Sequence, residues 1–455
     1  MTDARTARPR HCVAVIGGAT AGAEVAGRLA ELDAEVVVFE MNPRPYGKIE
    51  DGLPRWHKAL RRKEYETISG KLTRAGVHFV PNTKVGRDVG FEELVQDWGF
   101  SAVVLACGAW SDRALPVEGA DDYLGRGLVY QNPFIIWFNH AGEAAYDGPR
   151  FQPEDGVLVV GGGLASIDVV KVLMVETARA ALAERGIEVP MLELEVKGIP
   201  KVLKAHGLRF EDLGLEGCTL AYRRRVEDMP LVEAPEGATP ERMEKVRGGR
   251  RKLIDKAMEK YRFKMEPLAM PDGLLVEDDR LVGIRFRRTR IEDGRVIPTD
   301  ETFELRGSYV ISSIGSIPEP LPGIDMKGEL FAFTDWDFGR LEGRPTVFSV
   351  GNVVTGKGNI VASRKHAAAV SHDAIEKFLG LDESGHEGEE TLADAAAEAA
   401  REQADRVADA VGRQPPLDPA SVAKILERVH LRQNAVGYGG DYADWIAQVT
   451  PPDLE

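Results

Sequence analysis

The chain has 455 residues, 43% of them hydrophobic and 29% charged, and a formal net charge of −15. That length and composition predict two or three globular domains with sizeable cores, and the acidity argues against nonspecific nucleic-acid binding. No run of residues is long and apolar enough for a membrane span, and the first residues lack the apolar core of a secretion signal, so a cytoplasmic protein is expected.

In chain order, the first strong signal is Cys12–Ile16, a run of small and β-branched residues that reads as a strand buried on both faces. It leads into Gly17-Gly18-Ala19-Thr20-Ala21-Gly22, then a helical stretch, then a second strand, Glu35–Phe39, ending on Glu40. This is a dinucleotide fingerprint with Ala19 at the middle glycine position. The turn lets backbone N–H groups and a helix N-terminus meet a pyrophosphate, and the carboxylate of Glu40 is placed to hold ribose hydroxyls.

A second turn follows the strand 156–160: Gly161-Gly162-Gly163-Leu164-Ala165-Ser166, with a helix from Ile167 to Glu176. The next strand, Cys218–Tyr222, ends on Arg223-Arg224-Arg225 instead of an acid. Basic residues there accommodate a 2′-phosphate. An acid-ended first unit and an arginine-ended second unit predict FAD first and NADP(H) second. Residues 177–217 read as an insertion. Residues 201–290 are net basic, with Arg247, Arg250, Arg251 and Lys252 before a helix running to Tyr261, and Arg285, Arg287, Arg288 and Arg290 beyond it. Residues 382–405 are rich in acid and alanine and read as a loop and an exposed, solubilising helix. The three cysteines, Cys12, Cys107 and Cys218, are too few and too scattered for a disulfide scaffold, a Cys-ligated metal or an iron–sulfur cluster, and no other metal site is expected.

Taken in order, these segments resemble the adrenodoxin reductase family, including bacterial NADPH–ferredoxin reductases, and the related small subunit of glutamate synthase. Pro45 to Leu53 followed by His57 resembles the family segment that lies over the flavin. Ala106 to Leu115 is similar to the stretch that leaves the first FAD segment. Tyr222 to Arg225 with Asp228-Met229-Pro230 resembles the glutamate-synthase 2′-phosphate loop, and Ser312 to Gly315 the return crossover. Phe348 to Asn352, with Thr355 to Val361, resembles the closing FAD motif.

The resemblance implies an α/β fold of two nested Rossmann-like units. The FAD-binding unit would comprise residues 1–115 and 318–455, with a helical C-terminal tail, and the NADP-binding unit residues 116–317. It implies FAD contacts from Gly17, Ala19, Thr20, Ala21, Gly22, Glu40, Met41, Tyr46, Gly47, Lys48, Val85, Cys107, Gly108, Gly351, Asn352, Gly358, Asn359 and Ile360. For NADP(H) it implies Gly161, Gly163, Leu164, Ala165, Ser166, Arg223 and Arg224. Catalytic roles fall to His57, near the flavin, and Glu233, near the nicotinamide carboxamide, with Glu236 as a substitute. Lys48 stands where the family carries an apolar residue and brings a positive charge.

The expected activity is hydride transfer from NADPH to FAD, then electron transfer to an acidic, ferredoxin-like iron–sulfur carrier docked on the basic region. The alternatives are an electron-input subunit of a glutamate-synthase-like complex, and a flavin enzyme acting on a small organic molecule.

Overall fold

The computed structural model describes residues 8–232, 237–336, 339–355, 372–381 and 391–451. Two five-stranded parallel sheets organise it. In the first, the order is Val347–Ser349, Ala102–Leu105, Cys12–Ile16, Glu35–Phe39, Val77–Val80. In the second, it is Leu128–Tyr130, Val310–Ser313, Leu158–Gly161, Thr219–Tyr222, Lys264–Pro267. The central strands bury every residue, as all-parallel sheets covered on both faces require. In both sheets the strand order reverses beside the strand that precedes a glycine turn, and this is where doubly wound folds open a ligand crevice.

The chain passes between the sheets twice. Ser111–Asp112 on the way out pairs antiparallel with Ser316–Ile317 on the way back, forming a two-stranded ribbon at the junction. The expected return at Ser312 to Gly315 therefore falls at the end of a second-sheet strand and the start of the ribbon.

Three features depart from the sequence reading. First, the helix after the second glycine turn runs over Leu164–Ala183, beyond Glu176, and the stretch read as an insertion folds into the helix Met191–Lys197 against it and the helix Ile199–Ala205 against that one. Second, residues 269–306 form a three-stranded antiparallel sheet, Ala269–Glu277, Arg280–Glu292 and Arg295–Arg306.

Third, the acidic C-terminal segment is no solubilising appendage. Helix Thr391–Gly412 packs along helix Thr20–Glu31, burying Ala404, Val407, Ala408 and Val411 in the same core as Ala23, Val25, Ala26 and Leu29. Small residues on both helices let the two backbones approach. The acids occupy the outer face, where Asp405 pairs with Arg28 (2.5 Å).

Candidate active site

Both glycine turns open into one cavity of about 1810 Å³. At the first turn, Gly17 has φ +100°, and a Cβ there would lie 2.6 Å from the Ala106 carbonyl oxygen. A Cβ on Gly22 would lie 1.9 Å from the Gly17 carbonyl oxygen, so only glycine lets the helix start this close to the turn. Helix Thr20–Glu31 has no side-chain cap, which leaves its first N–H groups for an anion. Ala19, the departure from the fingerprint, has its own accommodation. A Cβ on Gly47 would come within 2.9 Å of the Ala19 methyl, so the glycine across the cleft makes room for it.

Glu40 is 4% exposed. Its Oε2 accepts from the Gly18 N–H (2.8 Å) and its Oε1 from the Asn42 N–H (2.9 Å). Burial pushes its carboxyl up to about 7, against the pull of these N–H donors. The backbone N–H groups fix the carboxylate at the strand end, where a ribose would present its hydroxyls.

At the second turn, a Cβ on Gly161 would meet the Ser313 carbonyl oxygen at 2.5 Å, and one on Gly162 would meet the Tyr222 ring at 2.1 Å. Helix Leu164–Ala183 again lacks a side-chain cap, because its N-cap is Gly163, and the Ser166 hydroxyl in its first turn donates to the Gly163 carbonyl (2.7 Å). Leu164 presents a side chain that cannot hydrogen-bond a phosphate. Arg223 and Arg224 line the cavity, and Arg224 Nη2 donates to the Gly294 carbonyl at the tip of an antiparallel hairpin (2.5 Å). Arg225 instead grips Asp228 through two hydrogen bonds, at 2.7 and 3.0 Å.

The cavity wall includes the expected residues Gly17, Ala19, Thr20, Ala21, Glu40, Met41, Tyr46, Gly47, Lys48, Val85, Cys107, Gly108, Gly161, Gly163, Leu164, Ala165, Ser166, Arg223, Arg224, Gly351 and Asn352. Gly22 stands behind the first turn. Glu233, Glu236, Gly358, Asn359 and Ile360 lie outside the described residues.

His57 does not reach the cavity. It is fully buried, with its ring stacked on Phe378 (4.5 Å). Its Nε2 accepts from Trp56 Nε1 (3.1 Å) and lies 3.9 Å from Asp168 Oδ1. Phe378 and Asp168 themselves line the wall, so His57 backs it.

Sequence reasoning missed several wall residues. Asn132 and Ser316 carry no local signal, since neither belongs to a glycine motif. Gln403 lies on the C-terminal helix and accepts from the Gly351 N–H through Oε1 (2.7 Å). The spacing of Ala400, Ala404, Val407 and Val411 marks an inward face on that helix and could have revealed its position.

The basic region is largely neutralised. Arg287 grips Asp272 twice, at 3.0 Å each, Arg288 pairs with Glu266, Arg290 with Glu292 (2.6 Å), and Arg251 with Glu227 (2.6 Å). Arg250 donates to the Val232 and Glu227 carbonyls. Arg247 and Lys252 make no hydrogen bond or close ion pair with a described residue, although Arg247 acts on Asp228 from farther off.

All three cysteines are free, and burial raises each thiol, Cys107 to about 12. The site therefore lacks a redox disulfide. No group of metal-ligating side chains occurs among the described residues, and no described helix is long and apolar enough to cross a membrane.

Two parallel sheets, two glycine turns and one shared crevice define a doubly wound α/β fold with two dinucleotide-type turns. Residues 11–211 match the profile of the pyridine nucleotide-disulphide oxidoreductase family. The chain is 25% identical over 435 residues to the mitochondrial NADPH:adrenodoxin oxidoreductase of Arabidopsis thaliana, covering 84% of this chain and 86% of the relative. It is 26% identical over 430 residues to the NADPH-ferredoxin reductase FprA of Mycobacterium tuberculosis, covering 87% of each. The structure of that FprA in complex with NADPH superposes with a TM-score of 0.60 at 21% identity, over 93% of this chain and all of the other, and so shares the fold. The small chain of Bacillus subtilis glutamate synthase [NADPH] is 30% identical over 171 residues, 37% of this chain and 33% of that one. These relatives bear out the resemblance drawn from the sequence.

Proposed function

We propose that the chain is an FAD-dependent NADPH oxidoreductase that passes electrons to a ferredoxin-like iron–sulfur carrier. The observation that carries this reading is the single cavity joining both glycine turns. Its volume exceeds the roughly 300–1,000 Å³ of a site for one small ligand. In this reading residues 1–115 and 318–455 form the FAD unit and residues 116–317 the NADP unit.

The residues present fit both nucleotides. The N–H groups at Thr20 and Ala21 take the FAD pyrophosphate, Glu40 the ribose, and Gly351 and Asn352 the chain toward the ring. Gly163, Ala165 and Ser166 take the second pyrophosphate, while Arg223 and Arg224 take the 2′-phosphate. FAD, when bound, supplies an acceptor that receives a hydride and releases electrons singly. The chain's own contribution is to stack the two ring systems at the junction of the sheets and keep water from them. His57 acts at one remove, as a positioning residue behind Asp168 and Phe378. The carrier's acidity and the basic docking face belong to the same proposal, with Arg247 and Lys252 the cations left to meet it.

An anaerobic titration tests the reading. NADPH should bleach the bound flavin at lower concentration than NADH, and a ferredoxin should then oxidise it. Arg223→Ala with Arg224→Ala should erase most of the preference. Equal use of NADH by the unaltered protein, or no ferredoxin reduction, refutes it. The likeness of Tyr222 to Pro230 to the glutamate-synthase loop favours a second reading, an electron-input subunit. A stable hetero-complex in native size-exclusion would support that alternative.

A further inference from the structure

One cation in the cavity wall is not accounted for by phosphate binding. Lys48 follows Gly47 at the start of the short helix Lys48–Asp51. Its ammonium donates to Ser316 Oγ (3.0 Å) and Asn132 Oδ1 (3.2 Å), and lies 5.4 Å from the centre of the Trp110 ring. Asn132 is itself fixed, because its Nδ2 donates to the Trp110 carbonyl (2.9 Å) and to Ser316 Oγ (3.1 Å). The Asn132 backbone N–H points at Asp112. Ser316 and Asp112 face each other in the ribbon that joins the two sheets. The ammonium thus sits where the chain crosses between the units, the place at which two dinucleotides laid along the two turns would bring their rings together.

The other cations of the wall have different employment. Lys84 pairs with Glu319 (2.9 Å), Arg113 with Glu329 (2.8 Å) and Arg87 with Asp88 (2.8 Å), while Arg223 and Arg224 flank the second turn. Lys48 has no carboxylate at ion-pair distance among the described residues. Its holders, Asn132, Ser316 and Trp110, are neutral. The titratable groups that act on it, Asp112 and Asp51, do so from farther off, and Asp51 is engaged by His140 (2.9 Å). Burial lowers the ammonium to about 8, partly opposed by those two carboxyls. An ammonium withdrawn from water without a counter-ion is costly, and the cost is offset when a negative group arrives beside it.

We propose that Lys48 is the counter-cation of the reduced flavin, its ammonium held by Asn132 and Ser316 to stabilise the negative charge that the ring acquires on reduction. The proposal rests on the reading that the cavity holds FAD. A hydride brings two electrons and one proton, so the ring carries one negative charge unless it takes a second proton from water. A fixed cation in a low-dielectric wall favours the charged form and makes the ring easier to reduce.

The test uses the FAD-loaded full chain, Lys48→Met, Lys48→Arg and Ser316→Ala. The readouts are the flavin midpoint potential and the absorbance of the reduced flavin as a function of pH. Lys48→Met should disfavour reduction about tenfold, which for a two-electron couple is about 30 mV, and should raise the pH at which the reduced ring takes its second proton. Lys48→Arg should restore most of both. Ser316→Ala, which loosens the hold on the ammonium, should shift both in the direction of Lys48→Met but less far, and it keeps the test available if Lys48→Met folds poorly. The difference between wild type and Lys48→Met should begin to shrink as pH rises through about 8, where Lys48 starts to lose its charge. An FAD-loaded Lys48→Met protein with wild-type potential and wild-type protonation of the reduced ring overturns the proposal. Failure of the wild-type chain to bind FAD at all overturns instead the reading on which it rests.

Discussion

Lys171 and Glu195 form an ion pair (2.9 Å) with both side chains 0% exposed. Lys171 also donates to the Leu379 carbonyl (3.1 Å) and lies 4.7 Å from the centre of the Trp56 ring. The Tyr261 hydroxyl, raised well above its ordinary range mainly by burial, donates to Glu195 Oε1 (3.0 Å). Five chain segments, those of Trp56, Lys171, Glu195, Tyr261 and Leu379, therefore meet at one pair of charges. Lys171→Met fills the space but leaves the Glu195 carboxylate without its cation. Breaking a buried pair from one side costs about 3–5 kcal/mol. For a cooperative unit of about 200 residues, at about 2–4 °C per kcal/mol, this corresponds to a fall of roughly 6–20 °C in melting temperature. Scanning calorimetry on the full chain measures it. Lys171→Met with Glu195→Met should recover most of the loss, because replacing both charges by apolar groups of similar size is often close to neutral. The deficit of the single variant should also shrink in acid, since a buried carboxylate deprived of the Lys171 charge escapes part of its penalty by taking a proton. A Lys171→Met protein that melts within 2 °C of wild type, or a deficit that ignores pH, would falsify the account of this pair.

The glycines of the two turns should respond unequally. Gly22→Ala forces a methyl onto the Gly17 carbonyl oxygen, an overpacking cost of about 1–3 kcal/mol, and should lower flavin retention on gel filtration. Gly163→Ala meets no protein atom within 4 Å and should change the stability of the nucleotide-free protein by no more than ~0.5 kcal/mol, read as an almost unchanged melting temperature. Glu40 and Glu50 are both raised by burial to about 7, so the folded, flavin-free protein binds more protons than the unfolded chain in the window up to about 7. Its melting temperature should therefore fall as pH rises from about 4.5 through 7, and Glu40→Gln should flatten that decline. Gln403→Ala removes the acceptor for the Gly351 N–H and should weaken flavin binding by about 1 kcal/mol, close to fivefold. Unchanged retention would mean that the C-terminal helix does not support the site.

The glycine turns and their flanking strands were legible because each is a local device. Turn, helix start and strand-end residue lie within one βαβ unit, and their spacing is set by backbone geometry. The partners of Lys48 were not legible, since Asn132 and Ser316 lie 84 and 268 positions away and meet the ammonium only through the junction ribbon. The arginines of 285–290 count toward the basic region in the sequence, but their partners are not visible there. These arginines belong to an antiparallel strand that buries Leu281, Ile284 and Phe286. Asp272 answers Arg287 from the adjacent strand and Glu266 answers Arg288 from the edge of the second sheet, pairings that charge counting along the chain cannot see. His57 was identified as a polar residue by the flavin segment, but its depth depends on Phe378, which arrives from the far end of the chain.

The way the C-terminal segments complete the first sheet has a consequence for biosynthesis. Cys12–Ile16 leaves the ribosome some 330 residues before Val347–Ser349, the last strand that its sheet acquires. The helix that shields Val25 and Leu29, Thr391–Gly412, emerges later still. The second sheet, by contrast, has all its strands once residue 313 is out. At about 5–20 residues per second, the opening βαβ unit waits tens of seconds with apolar surface uncovered. A nascent chain that has emerged only as far as residues 320–345 should expose that surface to chaperones while its second sheet is already complete.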